Sequence, residues 1–146
     1  MRAIRARDTA IEKRVAGLLD KIGEHWHAQD GTLPGKPDFV VPEYRAVIFT
    51  HGCFWHSHGC YLCKTPGTRT AFWLAKIAAN VRRDDAVVRQ LRENGWRVLI
   101  IWECALRGRL KRDDLWLIDR IEEWLCAGEG LAQIDTAGIH ASPDPG

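Results

Sequence analysis

Apolar side chains fall at helical spacing from the first described turn of the chain. Ile11, Val15, Leu18, Leu19 and Ile22 form one stripe, and Thr9-Ala-Ile-Glu12 ahead of them is a capping-box pattern, so a helix is predicted to start at Thr9. The turn-rich "GTLPGKP", residues 31–37, then gives way to "DFVV", a predicted strand from Asp38 to Val41. Pro42 to Arg45 reads as a tight turn and Ala46 to Thr50 as the returning strand of a hairpin, followed by an irregular loop. A second helix is predicted from about Thr70 to Asn94, stopped by Gly95. "RVLIIW", Arg97 to Trp102, is an apolar run suited to a strand covered on both faces. A third helix, about Asp113 to Leu125, places Leu115, Ile118, Ile121, Glu122 and Leu125 along one side. From Ala127 onward the periodicity is weak and a partly extended or loose tail is expected. No internal repeat is visible. The order predicts a mixed α/β fold, one domain over residues 1–146, with helices on both faces of a small sheet.

Composition narrows the class. With 146 residues, 46% apolar and 27% charged, the chain is an ordinary globule able to bury roughly two-thirds of its unfolded surface. No apolar run approaches the ~20 residues of a membrane span, and "MRAIRARDTA" lacks the hydrophobic centre of a secretory signal, so a cytoplasmic protein is expected. Five cysteines in a reducing compartment point to metal ligation or burial ahead of disulfides. The net charge of +2 decides little. Between Lys64 and Arg120, however, thirteen Lys/Arg face seven Asp/Glu, and Arg107, Arg109, Lys111 and Arg112 form a dense cluster. That bias suits a polyanion partner and a solvated basic face equally well.

The densest chemistry lies in "VIFTHGCFWHSHGCYLC", Val47 to Cys63, with three histidines and three cysteines around an adjacent Phe54-Trp55 pair. Cys53, His58 and Cys60 offer sulfur and nitrogen donors of the kind structural zinc takes in fours. The fourth is Cys63, through the Cys60-x-x-Cys63 spacing, or Cys104, just beyond the "RVLIIWE" strand. Cys104 is the better choice because it would pin the loop to the sheet. Plain buried thiols would explain the cysteines without a metal. His51 and His56 stand outside this set, available for a second metal, a proton or a backbone cap.

Two carboxylates occupy positions where the pattern calls for apolar side chains or strand starts. Asp84 shares a helix face with Trp73, Ile77, Val81, Val88 and Leu91, while Asp85 turns about 100° away into solvent. A carboxylate on that face needs a partner. His56 would serve, its ring tautomer then being fixed as in a catalytic triad, and an arginine would serve as well. Asp38 comes out at the same end of the predicted hairpin as Thr50 and His51. Carboxylate and carbonyl oxygens there suit Mg²⁺. Glu12 can reach the same place, although capping alone also accounts for it.

The segments "RDTAIEKR", "LPGKPDFVV", "VIFTHGCFWHSHGC", "TRTAFWLAKI", "GWRVLIIWECALRGR" and "IDTAGIH" together resemble the very short patch repair endonucleases, the Vsr family, over nearly the whole chain. The resemblance implies an enzyme that nicks one strand of duplex DNA beside a T·G mismatch left by deamination of 5-methylcytosine. It implies a restriction-endonuclease-like fold related to the PD-(D/E)xK nucleases, with Phe49-Thr50-His51 in place of acid-x-lysine. Asp38 and the Thr50 carbonyl would bind Mg²⁺, His56 would activate water with support from Asp84, and His51 would assist near the phosphate. Glu12 would lie in the outer shell of that metal. Cys53, His58, Cys60 and Cys104 would hold a structural Zn²⁺, leaving Cys63 and Cys126 without a role, and Phe54 and Trp55 would wedge beside the mismatched pair. The implied partners are mismatched double-stranded DNA and mismatch-repair proteins; a nucleoid-associated bacterial monomer is expected. Family members usually carry a further N-terminal segment ahead of "MRAI" that helps clamp DNA; with Met1 first here, either the chain is trimmed or another start is used, which bears on affinity and leaves the implied catalytic set complete. The alternatives are the same nuclease core with broader mismatch or sequence-specific cleavage, and a non-catalytic zinc module that binds DNA without scission.

Overall fold

The computed structural model describes residues 9–54, 56, 58 and 67–141. Helix α1 (Thr9–Ile22) buries the predicted stripe, with Ile11, Val15, Leu18 and Leu19 all at 2% exposure or less. Strands β2 (Phe39–Val41) and β3 (Ala46–His51) pair antiparallel as the predicted hairpin, Phe39 opposite Ile48 and Val41 opposite Ala46. A single 3₁₀ turn, Pro42–Tyr44, makes the connection. A two-residue strand β1 (His27–Ala28) borders β2. Helix α2 (Thr70–Glu93) ends at Asn94, and Gly95 follows at φ +85°, where its N–H donates to the Arg92 carbonyl. A residue with a β-carbon rarely takes that conformation, so the predicted stop has a backbone reason.

Strand β4 (Arg97–Trp102) runs parallel to β3, which requires a crossover; α2 supplies it. After β4 come a one-turn helix α3 (Glu103–Leu106) and helix α4 (Asp114–Ala127), the latter capped by the Asp113 side chain, which accepts from the Trp116 N–H. Among the described residues six strands, including β5 (Leu131–Asp135) and β6 (Gly138–Ala141), lie in sequence order, β3, β4 and β5 parallel and the rest antiparallel.

Alternation sorts the core into two layers. Phe39, Ile48, Leu99, Ile101 and Ile134 face α1 and α4, whereas Val47, Phe49, Val98, Ile100 and Trp102 face α2 with Val88 and Leu91. Helices therefore cover both faces, as predicted. In α4 the buried side differs from the predicted one: Leu117, Ile121, Trp124 and Leu125 are inside, while Leu115 is 75% exposed. The two faces overlap at Ile121 and Leu125, and Trp124 brings far more apolar area to the core than Glu122.

Of the two alternatives for the tail, partly extended or loose, the extended one holds for residues 131–135 and 138–141. These are strands β5 and β6, with Leu131, Ala132 and Ile134 buried. "LAQID" is a weak strand by itself. Its order comes from lying in register beside β4, where Val98 meets Leu131 and Ile101 meets Ile134.

Candidate active site

The end of β3, the start of β2 and the inner face of α2 enclose an open cleft of about 310 Å³. Asp38, Thr50, His51, His56 and Asp84 all line it. The hairpin register places Asp38 beside the last turn of β3, where its carboxylate accepts from the Thr50 N–H at 2.8 Å and from the Thr50 hydroxyl at 3.2 Å. Glu12 of α1 is 8% exposed and points to the same place. One amide joins the two acids: Gln29 Nε2 donates to Glu12 Oε1 at 2.9 Å and to Asp38 Oδ1 at 3.4 Å. Burial pushes the Asp38 carboxyl up to about 6; the Thr50 N–H opposes that and the Glu12 carboxylate adds to it. Gln29 was not anticipated from sequence. No motif marks it, and its φ of +58° in the connector brings it here.

Asp84 lies on the predicted face of α2, partly buried at 24% side-chain exposure, and the partner found there is His56, whose Nδ1 is hydrogen-bonded to Asp84 Oδ2. Asp85 is exposed, as expected. His56 stacks on His51 with centroids 3.9 Å apart and planes within 5°. His51 is 7% exposed, and burial, with His56 next to it, holds its basicity well below the ordinary histidine range. Both effects favour its neutral form. Ligand atoms of His51, His56 and Asp84 lie within 4.8 Å of one another. Parallel rings keep their in-plane lone pairs from converging on one ion, however, and Nδ1 of His56 is committed to Asp84. The geometry allows a proton to pass between His56 and Asp84.

Beyond this trio stands Trp102, the last residue of β4. It makes a T-shaped contact with His51 at 5.3 Å and stacks on His58 at 4.2 Å and 10°. Its Nε1 donates to Gln133 Oε1 at 2.7 Å. Cys53 and Cys104, both fully buried, approach His58 Nδ1 at 3.5 and 3.6 Å. The loop that carries Cys53 is tied to the segment after β4 by the Cys53 N–H, which donates to the buried Glu103 carboxylate at 3.1 Å. Cys104 thus stands with Cys53 and His58. Cys60 and Cys63 lie outside the described residues, as does Trp55. Phe54 is described, its ring edge-on to Trp73 at 6.1 Å. Cys126 is exposed on α4.

The basic cluster is partly committed to structure. Arg107 pairs with Glu103 at 2.6 Å, and Arg112 donates to the Thr136 carbonyl with its guanidinium over Trp116. Arg109 and Lys111 are exposed.

Two comparisons bear on what this cleft is for. Residues 1–62 match the family model of the DNA mismatch endonuclease Vsr. Over 140 residues the chain is 64% identical to the DNA mismatch endonuclease Vsr of Escherichia coli K12, covering 96% of this chain and 90% of that one. The chain belongs to the Vsr family. Other relatives are named as type II nicking enzymes: V.XorIIP of Xanthomonas oryzae is 43% identical over 106 residues, covering 73% of this chain and 78% of the relative. V.NmeAIP of Neisseria meningitidis is 37% identical over 109 residues, covering 75% and 78%. Among the described residues of this Vsr-family chain, no helix is long and apolar enough to cross a membrane. The site residues that sequence reasoning missed are Gln29, Trp102, Glu103, Gln133 and Asp135. Trp102 and Glu103 are at and just beyond the carboxyl end of β4, while Gln133 and Asp135 are the middle and last residues of β5, a strand for which the sequence offers only a partly extended or loose tail.

Proposed function

We propose that the protein nicks one strand of duplex DNA beside a T·G mismatch of the kind left by 5-methylcytosine deamination, using Mg²⁺ in the cleft and a structural Zn²⁺ behind it. The observation that carries this reading is the shared cleft of Asp38 and the Asp84-held imidazole of His56.

The donors fit both ions. Two buried carboxylates that share one amide, one of them held to about 6, make an oxygen-rich site short of positive charge. That is the chemistry of a hard-cation site, with Asp38 and the Thr50 carbonyl as ligands and Glu12 in the outer shell. When bound, Mg²⁺ would stabilise charge on the scissile phosphate and the leaving oxygen. The sulfur site fits zinc by its edge lengths. Zn–S near 2.3 Å and Zn–N near 2.05 Å at a tetrahedral angle give an S···N edge of about 3.6 Å; the separations at His58 are 3.5 and 3.6 Å. Cys60 is the proposed fourth ligand beside Cys53, His58 and Cys104.

With Nδ1 occupied by Asp84, His56 takes the proton of the attacking water at Nε2. Asp84 holds the tautomer and stabilises the imidazolium that forms. The water oxygen bonds to phosphorus, the bond to the 3′ oxygen breaks, and 5′-phosphate and 3′-hydroxyl ends result. His51, neutral and stacked on the base, keeps a second positive charge away from the forming imidazolium and supports the phosphate. Phe54 and Trp55 unstack the flawed pair, at a cost of a few kcal/mol that a mismatch already partly meets.

The test is nicking of an end-labelled T·G duplex with and without Mg²⁺, beside other mismatches and the fully paired control. Mg²⁺-dependent scission of one strand of the T·G duplex alone is expected. Equal cleavage of the paired duplex would shift the reading to sequence-specific nicking, and binding without scission would refute an enzyme.

A further inference from the structure

The β5–β6 hairpin, which neither the capping and period signals nor the metal motif predicted, reaches the sulfur site. Asp135, the last residue of β5, places Oδ2 3.3 Å from His58 Nε2. Its other oxygen accepts from the Ala137 N–H at 2.8 Å and lies 3.1 Å from His140 Nε2. Two residues earlier, Gln133 accepts from the Trp102 indole whose face lies on the His58 ring. One short strand thus touches both the edge and, through Trp102, the face of this imidazole.

We propose that Asp135 is the positioning residue that prepares His58 for metal binding. The inference rests on the zinc reading of the sulfur site. An ionised carboxylate only accepts hydrogen bonds, so Oδ2 selects the tautomer with its proton on Nε2. Nδ1 is then left as a lone pair, and it is the atom that faces both sulfurs. Without Asp135 the ring would divide between two tautomers, one of which presents an N–H to the metal. Histidine ligands oriented by a carboxylate in this way lose typically 10- to 100-fold in metal affinity when the partner is removed.

Asp135 also closes the β5–β6 turn, and the variants must separate the two roles. Asp135→Asn keeps an oxygen for the Ala137 N–H while presenting N–H groups to His58 Nε2, which reverses polarity at one atom. His140→Ala removes a contact of the same carboxylate and leaves Oδ2 with His58. Zinc affinity of the full-length chain is measured by competition with a chromophoric chelator, and the His58 tautomer by ¹⁵N shifts of the ring. Asp135→Asn is expected to bind zinc 10- to 100-fold more weakly and to lose the pure Nε2–H signature, with His140→Ala unchanged on both counts. Wild-type affinity in Asp135→Asn would overturn the proposal while leaving the zinc site standing. So would an equal loss in His140→Ala, since the turn would then set affinity. A wild-type chain that retains no zinc would refute the underlying reading instead.

Discussion

Asp38→Asn should make the protein more stable and abolish its nicking. The Asp38 carboxyl is raised from 3.8 to about 6, first by burial and then by Glu12, against the pull of the Thr50 N–H. An acid whose folded value exceeds its unfolded one binds more protons when folded, so stability falls as pH rises between the two values. Here the window runs from about pH 4 to about pH 6. At about 1.4 kcal/mol per pH unit, the metal-free protein carries a cost of about 3 kcal/mol at pH 7.5. Asparagine removes the charge, keeps an oxygen for the Thr50 N–H and can offer an N–H to Glu12. The assay is urea unfolding followed by tryptophan fluorescence, in chelator, at pH 7.5 and again near pH 4. The variant is expected to be up to about 3 kcal/mol more stable at pH 7.5, about 6–12 °C in Tm for a chain of this size, with the gap closing toward pH 4. Millimolar Mg²⁺ should then stabilise the wild type and leave the variant unmoved. A variant that is less stable at pH 7.5, or a gap that ignores pH, would refute the account of two acids short of a cation.

Three further outcomes follow from the same geometry. His56→Ala should lower the nicking rate by about 10²- to 10⁴-fold with unchanged circular dichroism, and Asp84→Ala should lower it by less; retention of most Mg²⁺-dependent nicking in His56→Ala would remove the base from the mechanism. Cys104→Ser should release zinc on dialysis and lower Tm, whereas Cys126→Ser, at an exposed position of α4, should do neither; metal analysis and calorimetry read both. Gly35→Ala should cost about 1–3 kcal/mol in urea unfolding, because Gly35 sits at φ +74° and a β-carbon there would lie 2.4 Å from Val87 Cγ1 on the cleft wall.

The hairpin, the two long helices flanking the site and the β4 run were legible because each carries its own period or stop residue. Asp84 was legible for the opposite reason: it interrupts a period, and an interruption on an apolar face demands a partner. Cys104 is favoured over Cys63 on a topological argument, that a ligand beyond β4 would pin the loop to the sheet; Cys104 stands 3.6 Å from His58 Nδ1, and Cys63 lies outside the described residues. Sequence said least about β5 and β6. Leu131, Ala132 and Ile134 are inside only because β4 offers an edge for them to pair with, and no local signal records a distant edge. The second-layer residues Gln133 and Asp135 were lost with that strand. On α4 the apolar positions are spread around enough of the helix for two overlapping faces to look plausible, and only docking against α1 selects Leu117 and Trp124.

The position of Trp102 would explain how one short segment can carry the proposed wedge, general base and zinc ligands without their chemistries interfering. Thiolates are softer ligands and better zinc donors than imidazoles near an oxygen site, and a loop with both within five residues risks drawing the base into the wrong metal. The indole touches residues of both sites: it stacks on His58, meets His51 and His56 in T-shaped contacts, and spends its N–H on Gln133. His56 is held by Asp84 from α2 and His58 by Asp135 from β5, so the two imidazoles are fixed by different elements. Removing the ring should therefore merge the sites before it unfolds the sheet. Trp102→Ala is expected to make nicking sensitive to added zinc at concentrations the wild type tolerates, an inhibition reversed by chelator and Mg²⁺. If the variant instead loses nicking with no response to zinc, the indole only packs.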